Sequence, residues 1–344
     1  MHKKFLFNIA VVVALAVSTS LGAYAFSTAN YATTSKLASG KWVKVAVPEN
    51  GIYQITFEEL AQMGFSNPQA VRIYGSGGYA IKETLDGSQI DDLQPIPFKV
   101  FDNKICFYGC GVVKYTLSTP TGTPHYTRET NSYATKGYYF LTENDGTEVL
   151  EPSITQSSSS PGVSRSTSLD FWHHEVDLIS PGESGKELLG ESMTNSAITI
   201  PYSLPNNLCN DKEVAVNCMA GAIVTASSYI KAELNGVDMN YTLSTAKIYA
   251  PANSFVYYNY ASPYNTILPE GGVPQSGNID ISITSANGVV NSAWLNYIII
   301  TYQQHNTLVD AQDNQLRMGF NSISKNDRIT LADGVETLQL WDIA

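Results

Sequence analysis

The sequence predicts a mainly β fold: an α+β N-terminal domain followed by an antiparallel β-sandwich of jelly-roll type. Two observations predict the sandwich. Short runs rich in Val, Ile, Tyr and Thr recur at close intervals through the second half, and turn signals such as Asn235-Gly236, Glu270-Gly271-Gly272 and Asn287-Gly288 separate them. A third, the capping signature Thr56-x-x-Glu59, sets a helix among the strands of the first half. With 344 residues, 43% of them hydrophobic and 15% charged, the chain has apolar material for two cores and lacks the composition of a disordered protein.

Residues 1–25 read as a secretory signal peptide: Lys3 and Lys4, an apolar run from Phe5 to Val17, then Ala23-Tyr24-Ala25 as the cleavage site. No later run reaches the length of a membrane helix, and the longest apolar stretch, Trp294 to Tyr302, is strand-sized. The mature chain is therefore expected to be exported, without a transmembrane segment. A formal charge of −11 repels phosphate backbones, which excludes nucleic acid as an expected partner.

Residues 26–39 form a small, polar leader, and an N-terminal α+β domain is expected over 40–150. Gly40 to Val47 alternates polar and apolar residues, so Trp42 faces away from Val43, Val45 and Val47. Pro48-Glu49-Asn50-Gly51 supplies a turn, with Ile52 to Ile55 as the hairpin partner. The helix from Thr56 presents Phe57, Leu60 and Ala61 on one face and ends at Gly64.

Val71 to Tyr74 is a strand, and Gly75-Ser76-Gly77-Gly78 reads as a glycine hairpin turn after it. Gly75, Gly77 and Ala80 match a dinucleotide fingerprint, but residues 81–87 are too short and turn-like to supply the helix that mechanism needs. Asp91 to Pro97 is an extended connector. Ile105 to Tyr108 and Gly137 to Thr142 are core strands, with 116–130 as a surface loop between them.

A Ser-rich linker, 151–168, precedes the sandwich domain, 169–344. Its expected strands are Ala197–Tyr202, Val214–Met219, Ser228–Leu234, Ser254–Tyr260, Asn278–Ser285 and Ala293–Tyr302. At its centre the last is apolar on both faces, and it is so expected to be a central strand. Leu316–Phe320, Arg328–Leu331 and Val335–Trp341 would close the fold.

The densest polar-aromatic stretch, Phe171 to Glu191, joins the two halves and contains His173, His174 and Glu175. Adjacent histidines on a strand point to opposite faces, and the spacing of a metalloprotease pair is missing. His125 and His305 are the distant alternatives, both in polar, loop-like sequence. The expected role is structural, an imidazole beside Trp172 at a domain junction.

Four cysteines follow neither a paired C-x-x-C pattern nor a nearby base. Cys106 and Cys110, if extended, lie roughly 13 Å apart at about 3.3 Å per residue, too far for a disulfide. Cys209 and Cys218 could close a hairpin. Gly182-x-x-Gly185-Lys186 fails as a phosphate loop, because its glycines are too close and Glu187 stands where Ser or Thr would bind magnesium. Asp91-Asp92 and Asp310-x-x-Asp313 sit in polar connectors where carboxylates are usually solvated. No catalytic, cofactor-binding or metal-binding residue is therefore assigned, and no cofactor. The run Phe255 to Tyr260, with Tyr264, could stack on sugars, which leaves a stand-alone glycan-binding or adhesive protein as the rival reading.

Several blocks together resemble one family. GKWVKVAVPENGIYQITFEEL, VRIYGSGGY, NSYATKGYYFLT, WHHEVDLISPGESGKELLGE and LQLWDIA are similar, in order, to the pre-catalytic N-terminal region of the PorU-type, gingipain-like sortases of the type IX secretion system. The resemblance implies β-rich modules ahead of a caspase-like cysteine peptidase domain at the outer surface of a Gram-negative bacterium. It also implies processing and anchoring of secreted cargo, with PorV, PorQ and PorZ as partners. Nothing in residues 26–344 matches that domain's nucleophile motif, so no catalytic residue carries over; the chain is expected to stop before the peptidase domain.

Overall fold

A computed structural model describes residues 31–83, 88–119, 123–143, 146, 150, 162–180, 188–194, 196–224, 228–238, 259–261, 264–285, 290–309, 311, 314–324, 326–332 and 339–343. The signal peptide, the start of the leader and most of the 254–260 run lie outside the described residues. The chain divides into two compact units, 1–113 with 133–153, and 114–132 with 154–344.

The first unit contains β1 (Val43–Val47), β2 (Gly51–Thr56), α1 (Phe57–Gln62), β3 (Val71–Gly77), β4 (Lys99–Phe101), β5 (Lys104–Gly109) and, numbering along the chain, β8 (Gly137–Glu143). Two three-stranded antiparallel sheets result, ordered β1-β8-β3 and β2-β5-β4. The hairpin predicted between 40–47 and 52–55 does not form. Val45 lies opposite Tyr139 of β8, and Ile52 lies opposite Tyr108 of β5. Residues 48–50 make a corner between sheets, and the Asn50 side chain holds it. It accepts from the Gly111 N–H at 2.7 Å and donates to the Val113 carbonyl at 2.8 Å.

The helix follows its sequence signals closely. The Thr56 hydroxyl accepts from the Glu59 N–H at 3.1 Å, the Glu59 carboxylate accepts from the Thr56 N–H at 2.7 Å, and Gly64 takes a φ of +87° just past the end. Leu60 is the residue it buries, in a core with Val71, Ile73, Ile105, Phe107 and Leu141. The glycine turn predicted at 75–78 is instead a bulge in β3. The register shifts between Tyr74 and Gly77, and both Gly75 (φ +144°) and Gly77 (φ +76°) take left-handed conformations. A Cβ on Gly77 would stand 2.6 Å from the Cys110 Cβ, so close packing also demands glycine there.

The second unit opens with β6 (Val113–Ser118) and β7 (His125–Thr130), then β9 (Ser164–Arg165), β10 (Thr167–Glu175), β11 (Ile198–Ser203), β12 (Val214–Val224), β13 (Ser228–Leu234) and β14 (Val237–Asp238). β15 (Asn259–Ala261), β16 (Tyr264–Ile267), β17 (Ser276–Ser285), β18 (Val290–His305) and β19 (Arg328–Ile329) complete it. One sheet runs β10-β18-β12, with β15 and β16 sharing the far edge of β12; the other runs β11-β17-β13-β14. The chain crosses from β10 to β11, back to β12, over to β13 and β14, back to β15 and β16, over to β17 and back to β18. This alternation between antiparallel sheets is the jelly-roll topology.

Strict period-two alternation fills the space between the sheets. Ile279, Ile281 and Ile283 of β17 meet Val214, Val216 and Cys218 of β12 in one core. β18 is central and buried on both faces from Leu295 to Tyr302, as the apolar residues Tyr297 to Ile300 at its centre predict. Asn235 (φ 49°) and Gly236 (φ 78°) form the predicted tight turn, between β13 and β14.

The second half also departs from the sequence reading. The predicted surface loop 116–130 is largely the paired hairpin β6 and β7, with His125 and Tyr126 buried. Part of the predicted Ser-rich linker is strand, β9 and the start of β10, and β9 pairs in parallel with β19. The strand predicted over 316–320 reduces to one bridge between Gly319 and Leu169, and no strand is present over 339–341.

Candidate functional site

The histidine stretch lies on β10, an edge strand of the larger sheet, and its alternation separates the two rings. His173 stands opposite Ile299 and His174 opposite Ile298, on opposite faces. On the inner side His174 stacks over Trp172, ring centroids 6.1 Å apart, and its Nε2 lies 2.8 Å from Glu191 Oε1. On the outer side His173 Nδ1 lies 2.9 Å from the Tyr115 hydroxyl of β6, and Nε2 lies 3.3 Å from Glu175 Oε2.

The hairpin β6–β7 covers this outer face. Tyr126, Phe171, Tyr297 and Ile299 form a satellite core beneath it, and the Tyr126 N–H donates to the Thr301 hydroxyl at 2.8 Å. Arg128 reaches in from β7, forms an ion pair with Glu175, donates to Asn296 Oδ1 at 2.6 Å, and lies 4.4 Å from the centre of the Tyr297 ring. Asn296 is available because β18 bulges there: Met219 faces Tyr297 and Ala220 faces Leu295, which leaves Asn296 as the extra residue. Arg128 and Glu175 are only 5% and 15% exposed, so removing either takes the opposite charge away from a largely buried group.

A second pair lies nearer the start of the same strand, between a largely buried Asp170, 13% exposed, and a half-exposed Arg317, 47%. Asp170 pairs with Arg317 and accepts from the Tyr302 hydroxyl at 3.3 Å. Burial pushes the Asp170 carboxyl above its ordinary value, and Arg317 offsets part of that rise. Burial likewise pushes the Tyr126 phenol up to about 12.

Chemically, Tyr115, His173 and Glu175 could orient an imidazole, but the described contacts of either histidine include no cysteine or serine that it could activate. Cys218 faces the sandwich core, where burial pushes its thiol up to about 12. Cys209 and Cys106 are also buried and raised, Cys110 is half-buried, and all four are free rather than disulfide-bonded. His125 is not in a loop: it opens β7, 3% exposed, with Nδ1 3.2 Å from the Thr123 carbonyl. His305 closes β18 opposite Thr167.

The Asp92 carboxylate is not merely solvated. It accepts from the Lys36 N–H at 2.8 Å and the Ser35 hydroxyl at 3.0 Å, tying down a short 3-10 turn, and the Lys36 N–H is first among the contacts that hold its pKa below the ordinary value. Asp310, Asp313, the 182–186 stretch and the Phe255 to Tyr258 run lie outside the described residues. Among the described residues, no group of three His, Cys, Asp or Glu side chains is arranged to hold a metal ion.

Arg128, Tyr115, Asn296 and Arg317 were not foreseen as members of these clusters. The available signal was Tyr126-x-Arg128-x-Thr130, a period-two run hidden by its Thr and Pro-rich surroundings.

No family model and no curated protein matches the chain. Among solved structures, the chain is similar to dimeric latent PorU from Porphyromonas gingivalis, with a TM-score of 0.66 and 26% identity over 79% of this chain and 25% of that one. A β-porphyranase of glycoside hydrolase family 86 from Bacteroides plebeius aligns over 77% of this chain and 34% of its own at 8% identity, but its TM-score of 0.24 carries no argument. The chain thus has a PorU-like fold and spans about a quarter of the length of that PorU chain.

Proposed function

We propose that this chain is a non-catalytic, scaffolding and partner-binding part of a PorU-like sortase system of type IX secretion, exported to the outer surface of a Gram-negative bacterium. The observation that carries the reading is the PorU-like fold at 26% identity over 79% of the chain. Its function there is to present surface to PorV-, PorQ- and PorZ-like partners while a peptidase domain of the gingipain type processes and anchors secreted cargo. The buried Arg128–Glu175 pair with His173 beside it, and His174 on the opposite face, serve packing in this reading, since the described contacts of these residues include no cysteine or serine.

Binding of the purified mature chain to a PorV-like outer-membrane protein, followed by surface plasmon resonance, tests the proposal. Saturable binding is expected. Binding to none of the three partner types, together with retention on a glycan array, would replace the proposal with the adhesive reading. Cargo cleavage by this chain alone, lost when one of its four cysteines is changed to serine, would overturn its non-catalytic part.

A further inference from the structure

The hairpin β6–β7 and the segment 317–321 meet at two points. Gly319 lies under the Tyr126 hydroxyl: a Cβ there would stand 2.0 Å from the hydroxyl oxygen, and 3.1 Å from both Tyr126 Cζ and the Leu169 carbonyl oxygen. Beyond the end of β6, the Thr119 hydroxyl donates to the Asn321 side chain. Gly319 is fixed to β10 by paired backbone bonds with Leu169, at 2.7 and 2.9 Å. Two residues earlier, Arg317 stacks on the Phe171 ring at 3.8 Å. Tyr126 packs on that same ring, centroids 4.6 Å apart.

We infer that the hairpin β6–β7 and the segment 317–321 form one interlocked strap over β10, opening and closing together, with the Gly319–Tyr126 contact as its joint. Neither piece is self-sufficient. A two-stranded hairpin is marginal on its own, and among the described residues the segment's backbone pairing with β10 is the one bridge at Gly319, beside which Arg317 pairs with Asp170 and donates to the Phe171 carbonyl at 3.1 Å. Each completes the cover of Phe171 that the other needs, so ordering one lowers the cost of ordering the other, and the coupling is reciprocal. The chain enters the hairpin from, and leaves it for, sequence of the first unit, at 113/114 and 132/133. Anything that biases the hairpin through those connections therefore biases segment 317–321.

Gly319 has no left-handed φ, so alanine there is free of backbone strain and meets the tyrosine hydroxyl as its nearest obstacle. That permits a rescue experiment by hydrogen exchange on the full chain. Gly319→Ala is expected to lower protection at amides 125–130 and 317–321 together, roughly 5- to 150-fold, with β12 and β17 unchanged. Adding Tyr126→Phe, which removes the obstructing oxygen, is expected to restore most of it in both places. Loss confined to 317–321, no loss at all, or a double variant as open as Gly319→Ala would overturn the interlock. Should Gly319→Ala unfold the whole unit, Asn321→Ala reads the same coupling at the second contact: hairpin protection falls with it, and unmoved hairpin amides would refute the inference.

Discussion

The two faces of β18 are both buried, but by different physics. The inner face meets an apolar layer supplied by long strands in strict alternation, where Ile298 and Ile300 sit among Ile281, Val216 and Ile230. The outer face carries Tyr297, Ile299 and Thr301 under a two-stranded hairpin, and pins that cover with Arg128–Glu175, Arg128–Asn296 and Tyr115–His173. Burial on the inner face is non-directional and spread over many contacts. On the outer face it is concentrated in a few charged and hydrogen-bonded anchors around a small apolar cluster. The inner layer should therefore set global stability, and the outer one a local, separable stability.

The largest expected effect comes from breaking the inner layer. Ile281 is fully buried, and Ile281→Ala should cost about 2–5 kcal/mol of global stability, seen as a lowered urea midpoint with an unchanged slope. Arg128→Ala should cost less, about 1–3 kcal/mol, although breaking a fixed buried pair can cost more. The hairpin can lift and return Glu175 to water, so the loss saturates at the docking free energy. A larger loss for Arg128→Ala than for Ile281→Ala would reverse the contrast between the faces.

Outside the sandwich, Thr56→Ala removes the capping box of α1 and should cost about 0.5–2 kcal/mol, read as a lower melting temperature of the first unit. Smaller still is a pH effect at the β9–β19 pair. The Arg165 side chain, with the Ser324 and Val163 N–H groups, holds the Asp327 carboxyl below its ordinary value. Stability from a depressed carboxyl is present above the ordinary aspartate range and is lost as pH falls through the lowered value. Acidification below about pH 4 should loosen Ser164 and Arg328 in an NMR titration, and Asp327→Asn should flatten that response. Least perturbing is thiol labelling of the native protein: Cys110, half-buried, should react ahead of the buried Cys106, Cys209 and Cys218.

The inner layer was legible in the sequence, because period-two runs such as Ile279-x-Ile281-x-Ile283 carry their burial pattern with them. The helix was legible too, since Thr56 and Glu59 satisfy each other locally. Pairing between distant strands was not. Nothing near Pro48 says that Val45 belongs beside Tyr139 rather than beside Ile52, because Asn50 turns the chain through contacts with residues 61 and 63 positions away. The outer cover was hidden for a similar reason: Tyr126 and Arg128 read as loop until Phe171, Glu175 and the Asn296 bulge are brought against them. His173 and His174 were correctly split between faces, as strand geometry requires.

Native-state hydrogen exchange of the unmodified protein over a rising, sub-denaturing urea series tests the contrast between the faces most directly. Amides of β12, β13 and β17 should exchange only through global unfolding, with a steep urea dependence, while those of β7 should exchange through a local opening with a shallow one. A single steep dependence shared by β7 and β17 would contradict the account.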